Sequence, residues 1–343
     1  MAFWDWFLTA LGVGGASNAG SPEPARSAEG GVAVLEAEFP AAAWWSPEPP
    51  ALTAPVPSRC ENPSPEVRFL ENILASHFDG HDLTLPAMPA SPDQVLKELR
   101  HPHCDFAEVA RLISDDPVLT AAILRTINSP FYRGESEITS IRTAVTRLGT
   151  RALRTLMMHQ ALQAAMFESR AGNPRRAQTL WRRAQAGAWI MHGLAPLIGR
   201  DPDDAFLAGL LHDIGNVLVL RIVSAEEAKM KVRVADDEFE HLCELAHQEL
   251  GELLATAWKL PRNLSALIRD HHVRPDAADP LAVERQALLL TDMILALLEF
   301  APYQPYDLLN ADVASDLGLD ADPRFTTLLA ALPAELDETL IAL

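Results

Sequence analysis

The chain is predicted to be all-α, and three observations predict it. No stretch alternates apolar and polar residues with period two among β-branched side chains. From about residue 66 onward, apolar residues recur three and four positions apart in run after run. Finally, residues 203–223 contain a segment, Ala205 to Leu220, that is apolar on every side of a helical wheel except at His212, Asp213 and Asn216. A helix without a polar face belongs inside a protein, so this segment is expected to be a buried central helix.

Taken in order, Met1 to Val13 is hydrophobic, with Phe3, Trp4, Trp6, Phe7, Leu8 and Leu11, but Asp5 and the absence of a basic residue ahead of it make a poor signal peptide. As an amphipathic helix it suits docking onto a partner or a membrane surface, its acidic charge disfavouring anionic lipid. Residues 14 to about 66 are rich in Gly, Ala, Ser, Pro and Glu and bury too little apolar surface to offset ordering, which predicts a flexible linker. Trp44-Trp45 within it has the character of a short docking motif or of incidental contact with the folded part. The extension is therefore assigned to residues 1–65, the folded domain to 66–300 and a helical tail to 301–343.

Within the domain, Glu66 to Phe78 is helix-like, and Leu83 to Pro89 is a connector held open by its prolines. Ser91-Pro92-Asp93 starts a helix to about Leu99 with Ser91 as N-cap. Phe106 to Ile113 is a short amphipathic helix, and Asp115 or Asp116 caps the next, which runs to Ile127. Asn128-Ser129-Pro130-Phe131-Tyr132 breaks that helix. Ser140 caps another, interrupted at Gly149-Thr150 and continuing from Arg151 to Glu168. After Gly172-Asn173-Pro174 come Ala177 to Ile198, the buried helix, Glu226 to Val232, Glu238 to Trp258, Arg262 to His271 and Pro280 to Phe300.

At 343 residues and 48% apolar content there is ample core, and no uninterrupted apolar run reaches the roughly 18 residues of a membrane span. The three cysteines, Cys60, Cys104 and Cys243, stand far apart and form no C-x-x-C, so neither a disulfide framework nor a zinc ribbon is indicated and a reducing cytoplasm fits best. A net charge of −19 speaks against nonspecific DNA binding as the main activity. The average hides a basic island, since eleven basic residues against three acidic ones lie between Arg125 and Arg183. Arg147, Arg151 and Arg154 follow i, i+4, i+7 spacing and share a face on a helix. That face either pairs with the acidic remainder of the chain or receives an acidic partner or phosphorylated ligand, to which Arg is suited.

A histidine and a carboxylate side by side in an apolar run are costly to desolvate unless paired. His212 and Asp213 are either neighbouring ligands of a divalent metal, imidazole and carboxylate being the mix expected of Mn, Fe or Zn sites, or a satisfied structural pair. His241, His247, His271-His272 and Asp292 follow on later helices and could converge with them inside a helical bundle.

The ordered set resembles the HD superfamily of metal-dependent phosphohydrolases, and more closely the HDOD family, HD-related output domains of bacterial signalling proteins. The matching residues include Leu85-Pro86, Asp116-Pro117-Val118-Leu119, Asn128-Ser129-Pro130-Phe131-Tyr132, Ile138-Thr139-Ser140-Ile141, Leu148-Gly149 and Trp181. They continue through Ala205 to Gly215, His247, Gly251, Trp258, Leu260-Pro261 and His271-His272. The resemblance implies a helical first lobe (about 66–172) packed on an HD-like second lobe (about 177–300).

It also exposes departures. An active HD hydrolase has a further histidine upstream of the His-Asp pair, on the helix where this chain has Trp181-Arg182-Arg183-Ala184; a guanidinium stays protonated and cannot ligate a metal. Hydrolases of the HD-GYP type carry a lysine where Asn216 stands and a Gly-Tyr-Pro segment that His271-His272-Val273-Arg274-Pro275 lacks. The remaining set, His212, Asp213, His247, His271, His272 and Asp292, is expected to hold one divalent metal weakly or none.

The reading is a cytoplasmic regulatory module without a required cofactor, working through signalling-protein partners, with the surfaces around Asn128 to Tyr132 and Arg147 to Arg154 as contacts. One alternative is a metal-dependent phosphohydrolase acting on nucleotides or cyclic dinucleotides. The other is a sensor in which arginines, Arg183 among them, hold a phosphorylated small molecule.

Overall fold

The structure, a computed structural model, describes residues 63–78, 83–128, 137–167, 173–276, 278–298 and 312–341. Thirteen helices and no strand occur among them, as the all-α expectation requires. The segment Met1 to Val13, the linker with Trp44-Trp45, and Ser129 to Tyr132 lie outside the described residues.

Helix α1 (Pro65–Ser76), expected in the first lobe, packs instead on the later helices Asn216–Met230 and Asp236–Ala257; the first helical group is α2 (Ala90–Leu99), α3 (Phe106–Ser114), α4 (Pro117–Ile127) and α5 (Ile141–Phe167). Three short helices, α2, α3 and α4, pack on the long α5. Their buried stripes follow helical spacing: Val109, Ala110 and Ile113 on α3, Leu119, Ile123 and Ile127 on α4. Asp116 caps α4, its Oδ1 accepting from the Val118 and Leu119 amides at 2.8 and 3.2 Å. The expected cap of α2 differs. Pro89 takes the extended N-cap conformation (φ −54°, ψ 138°), which places Ser91 inside the first turn instead of at the cap. Asn128 is a structural clamp, its amide giving to and receiving from the Ile138 backbone at 2.7 Å.

Helix α5 breaks at Gly149 (φ 75°, ψ 175°), a left-handed conformation that glycine adopts without Cβ penalty. The break leaves Arg147, which is exposed, outside the regular helix that carries Arg151 and Arg154, so the three do not share one continuous face.

The second group is α6 (Pro174–Leu194), α7 (Pro202–Leu211), α8 (Asn216–Met230), α9 (Asp236–Ala257), α10 (Arg262–Asp270) and α11 (Ala282–Leu297), followed by α12 (Asp312–Asp316) and α13 (Pro323–Ile341). Helices α6 and α7 pack closely because Gly187 and Gly209 face each other; a Cβ on Gly209 would fall 2.8 Å from the Gly187 carbonyl carbon. Trp181 and Trp189 on α6 are fully buried, and Trp189 meets Phe206 edge-on at 4.9 Å. Buried Arg176 anchors the far side, bonding Glu227 at 3.0 Å and the Val234 carbonyl at 2.7 Å, with its guanidinium 4.3 Å from the Phe239 ring centre. Trp258 donates to the Pro86 carbonyl at 3.0 Å, which fastens the proline connector to the second group.

The segment expected to be one buried helix is two. Helix α7 ends at Leu211, residues 212–215 form a turn, and α8 begins at Asn216. The turn seats Gly215 against α9, so close that a Cβ there would overlap the His247 carbonyl oxygen and lie 2.6 Å from the Gly251 amide. Pro202–Met230 is long and apolar enough to cross a membrane, but 89% of its most apolar stretch is buried within the protein.

Candidate functional site

The turn between α7 and α8 projects His212 and Asp213 into the space between α6, α9, α10 and α11. His247 enters from α9, His271 and His272 from the end of α10, Asp292 from α11 and Arg183 from α6. The structure thus brings together all six residues of the expected histidine and carboxylate set. Asp213 Oδ1 lies 3.4 Å from His247 Nε2, 3.6 Å from His271 Nε2 and 3.8 Å from His212 Nε2. Asp292 Oδ1 lies 3.3 Å from His212 Nε2, and the Nε2 atoms of His247 and His271 stand 3.2 Å apart.

Three of the rings have a determined orientation. His212 Nδ1 bonds the Gly209 carbonyl at 2.7 Å, His247 Nδ1 that of Cys243 at 2.9 Å and His271 Nδ1 that of Ile268 at 2.9 Å. A carbonyl only accepts, so each Nδ1 is the donor, and in the neutral ring each Nε2 presents its lone pair. With all three rings neutral, three imidazole lone pairs and two carboxylate oxygens would face one another in a buried space. Only protons or a cation make that arrangement favourable, and backbone-tethered imidazoles are how proteins orient metal ligands. Sets of histidine and carboxylate atoms here lie within 4.8 Å of one another, among them His212, His271 and Asp292. The donors fit one divalent cation.

The outer oxygens are different. Asp213 Oδ2 faces the Arg183 Nε at 3.4 Å, and Arg183 also donates to Glu240 Oε2 at 3.0 Å. Asp292 Oδ2 faces His272 Nε2 at 3.4 Å, while His272 Nδ1 faces Glu244 at 3.2 Å. Each carboxylate is thus shared between the lone-pair cluster and a cation that belongs to the protein.

These placements match known proteins. Residues 85–274, more than half of the chain, match the HDOD domain. The chain belongs to the HDOD family. An HDOD domain protein of unknown function from Geobacter sulfurreducens is 25% identical, with a TM-score of 0.58 over 80% of this chain and 99% of that one. A Shewanella amazonensis SB2B protein, provisionally named a phosphohydrolase, is 26% identical, with a TM-score of 0.54 over 78% of this chain and 97% of that one. An uncharacterised protein of Treponema pallidum (strain Nichols) is 22% identical over 284 residues, 79% of this chain and 53% of that protein. The chain spans about half the length of this curated relative.

Electrostatics in this HDOD site follow the pairing. Burial lowers the basicity of His272, but Asp292 and Glu244 at its two nitrogens outweigh it and push the pKa up to about 10. Burial, with the adjacent His272 next, pushes His271 down to about 4, so that ring is neutral. His212 is pulled down by burial but raised overall by Asp213 and Asp292. Burial opposes ionisation of Asp213 and Asp292, yet surrounding cationic groups, His212 first, hold both carboxyls below the usual range. The Cys243 thiol behind them is pushed up, chiefly by burial.

Sequence reasoning missed Glu240 and Glu244. Their signal was present: with His247 they follow i, i+4, i+7 spacing on one face of α9. Of the arginines expected to meet an anion, Arg183 lies in this site. Arg151 and Arg154 lie elsewhere, paired with Asp201 and, at 2.6 Å, with Asp204 at the start of α7.

Proposed function

We propose that this HDOD protein is a regulatory module that acts by binding signalling partners and does not hydrolyse phosphoesters. The observation that carries the reading is the occupation of both outer carboxylate oxygens by protein cations, Arg183 on Asp213 and His272 on Asp292. A two-metal hydrolase needs a carboxylate free to bridge its ions. Here each carboxylate has one oxygen left, enough for a single shared ion.

Access argues the same way. His212 and His271 are fully buried, and the most open member of the set, His272, has only 20% of its side chain exposed. His212, His247, His271, Asp213 and Asp292 would hold the one ion, which when bound supplies Lewis acidity and a lowered pKa for bound water. The protein's own groups do something else: His272 keeps a proton between two carboxylates, and Arg183 neutralises Asp213 and Glu240. These are the roles of a fixed core that holds α6, α9, α10 and α11 in register.

The test is elemental analysis of the full chain purified without chelator, together with phosphodiesterase and nucleotidase assays in Mn²⁺. One equivalent of metal or less, and no turnover that depends on His212, is the expected result. Two equivalents of metal, or cyclic dinucleotide hydrolysis abolished by His212→Ala, would establish the phosphohydrolase alternative instead.

A further inference from the structure

A second feature lies where the first helical group meets α7 and α10. There the protein forms a half-open cavity of about 770 Å³, within the size range of small-molecule sites, roughly 300–1,000 Å³. None of the six histidine and aspartate side chains of the buried site lines it. Its floor is aliphatic, built from Leu96, Met158, Met191, Leu207, Leu264 and Leu267, and no aromatic ring contributes among the described residues. A floor of this kind suits a flexible hydrocarbon chain and offers no face on which a nucleobase could stack.

The mouth is charged and its charges do not balance. Three of the arginines at the rim are matched: Arg151 with Asp201, Arg154 with Asp204 and Arg200 with Glu284. Arg100 and Lys259, both exposed at the same rim, have no carboxylate partner among the described residues. A surplus of two cations above an aliphatic floor selects a molecule with a negative head and an apolar body.

We propose that this cavity binds one anionic amphiphile, with its aliphatic chain on the Met158 and Leu264 floor and its carboxylate or phosphate head at Arg100 and Lys259. So placed, the ligand touches α2 and α5 on one side and α7 and α10 on the other. Its occupancy therefore favours the packing between the two helical groups over any looser arrangement. The proposal does not depend on whether the histidine site holds a metal.

The experiment is calorimetric titration of the full chain with dodecanoate, dodecyl phosphate, dodecanol and inorganic phosphate, each below its micellar concentration. At least one of the two amphiphilic anions binds with one-to-one stoichiometry, and whichever binds more tightly tells a fatty-acid source from a phosphorylated one. Dodecanol and inorganic phosphate bind at least about tenfold more weakly, the step that one charge-assisted contact or the buried chain provides. The double variant Arg100→Ala, Lys259→Ala, confined to exposed side chains, loses about tenfold or more, and Leu264→Trp, which fills the floor, abolishes binding. Dodecanol binding as tightly as the anions, several molecules per chain, no binding of either anion, or unchanged affinity in the double variant would each overturn the proposal.

Discussion

Replacing Arg183 with methionine keeps an unbranched stem of similar reach and deletes the guanidinium that stands 3.4 Å from Asp213 and 3.0 Å from Glu240. At that separation a unit pair is worth about 5 kcal/mol for an effective dielectric near 20. Glu240 has 21% of its side chain exposed and Asp213 14%, so water recovers part of the loss. Removing one partner of a buried pair typically costs about 3–5 kcal/mol, and the lower end of that range, about 3 kcal/mol, is expected here. For a chain of this size that corresponds to a fall in Tm of roughly 4–6 °C. A divalent cation in the histidine cluster restores positive charge beside Asp213. Mn²⁺ at about a hundredfold above its Kd therefore returns about 2.7 kcal/mol to the variant. Urea denaturation of parent and variant, with and without Mn²⁺, measures both quantities. If the variant is as stable as the parent without metal, or if Mn²⁺ stabilises the two equally, Arg183 does not neutralise Asp213 and the reasoning fails.

Gly215→Ala forces a Cβ onto the His247 carbonyl and should cost about 1–3 kcal/mol while weakening Mn²⁺ binding, because α8 must move away from α9; denaturation and metal titration report the two effects together. Arg176→Leu should lose about 3–5 kcal/mol, since Glu227 stays behind at 12% exposure, whereas Arg151→Ala, at an exposed pair, should change stability by about 1 kcal/mol or less. His159, buried in α5 beside Trp181, has its pKa pushed down by burial to about 3. The folded ring is neutral while the unfolded one takes up a proton near pH 6.5, so its contribution is whole above pH 6.5 and declines as pH falls from there towards 3, at about 1.4 kcal/mol per unit. The variant His159→Gln should flatten that part of the stability curve in pH-dependent urea melts. Trp258→Phe removes the bond to the Pro86 carbonyl and should cost about 1 kcal/mol with little change in the denaturant slope.

The sequence made the helices legible wherever a buried stripe was locally periodic, as in Val109, Ala110 and Ile113, and local chemistry narrowed a cap to Asp115 or Asp116, between which the structure selects Asp116. It did not reveal the break at residues 212–215. Ala205 to Leu220 reads as continuous helix, and what ends the first half is the seating of Gly215 on α9, a contact between residues 32 positions apart in the chain. Resemblance pointed to the histidine set, and the loss of one ligand position to arginine was visible in Trp181-Arg182-Arg183-Ala184. The destination of that arginine, Glu240 as well as Asp213, and the pairing of His272 with Glu244 depend on how α6, α9 and α10 meet. The i, i+4, i+7 pattern of arginines misled in part because the Gly149 kink separates Arg147 from the other two. The cavity between the helical groups has no local signature, since its floor is assembled from five helices.

The carbonyls that hold His212, His247 and His271 belong to residues three or four positions earlier in the chain, Gly209, Cys243 and Ile268. Each ring is thereby tied to the backbone at the end or flank of the helix that precedes or carries it. The three Nε2 atoms then act as the jaws of a caliper laid across α7, α9 and α10. On the proposed reading, a docking event that slid one of these helices by a fraction of an ångström would alter the gap between jaws directly, and affinity for an ion at the centre would then gauge what is bound at the surface.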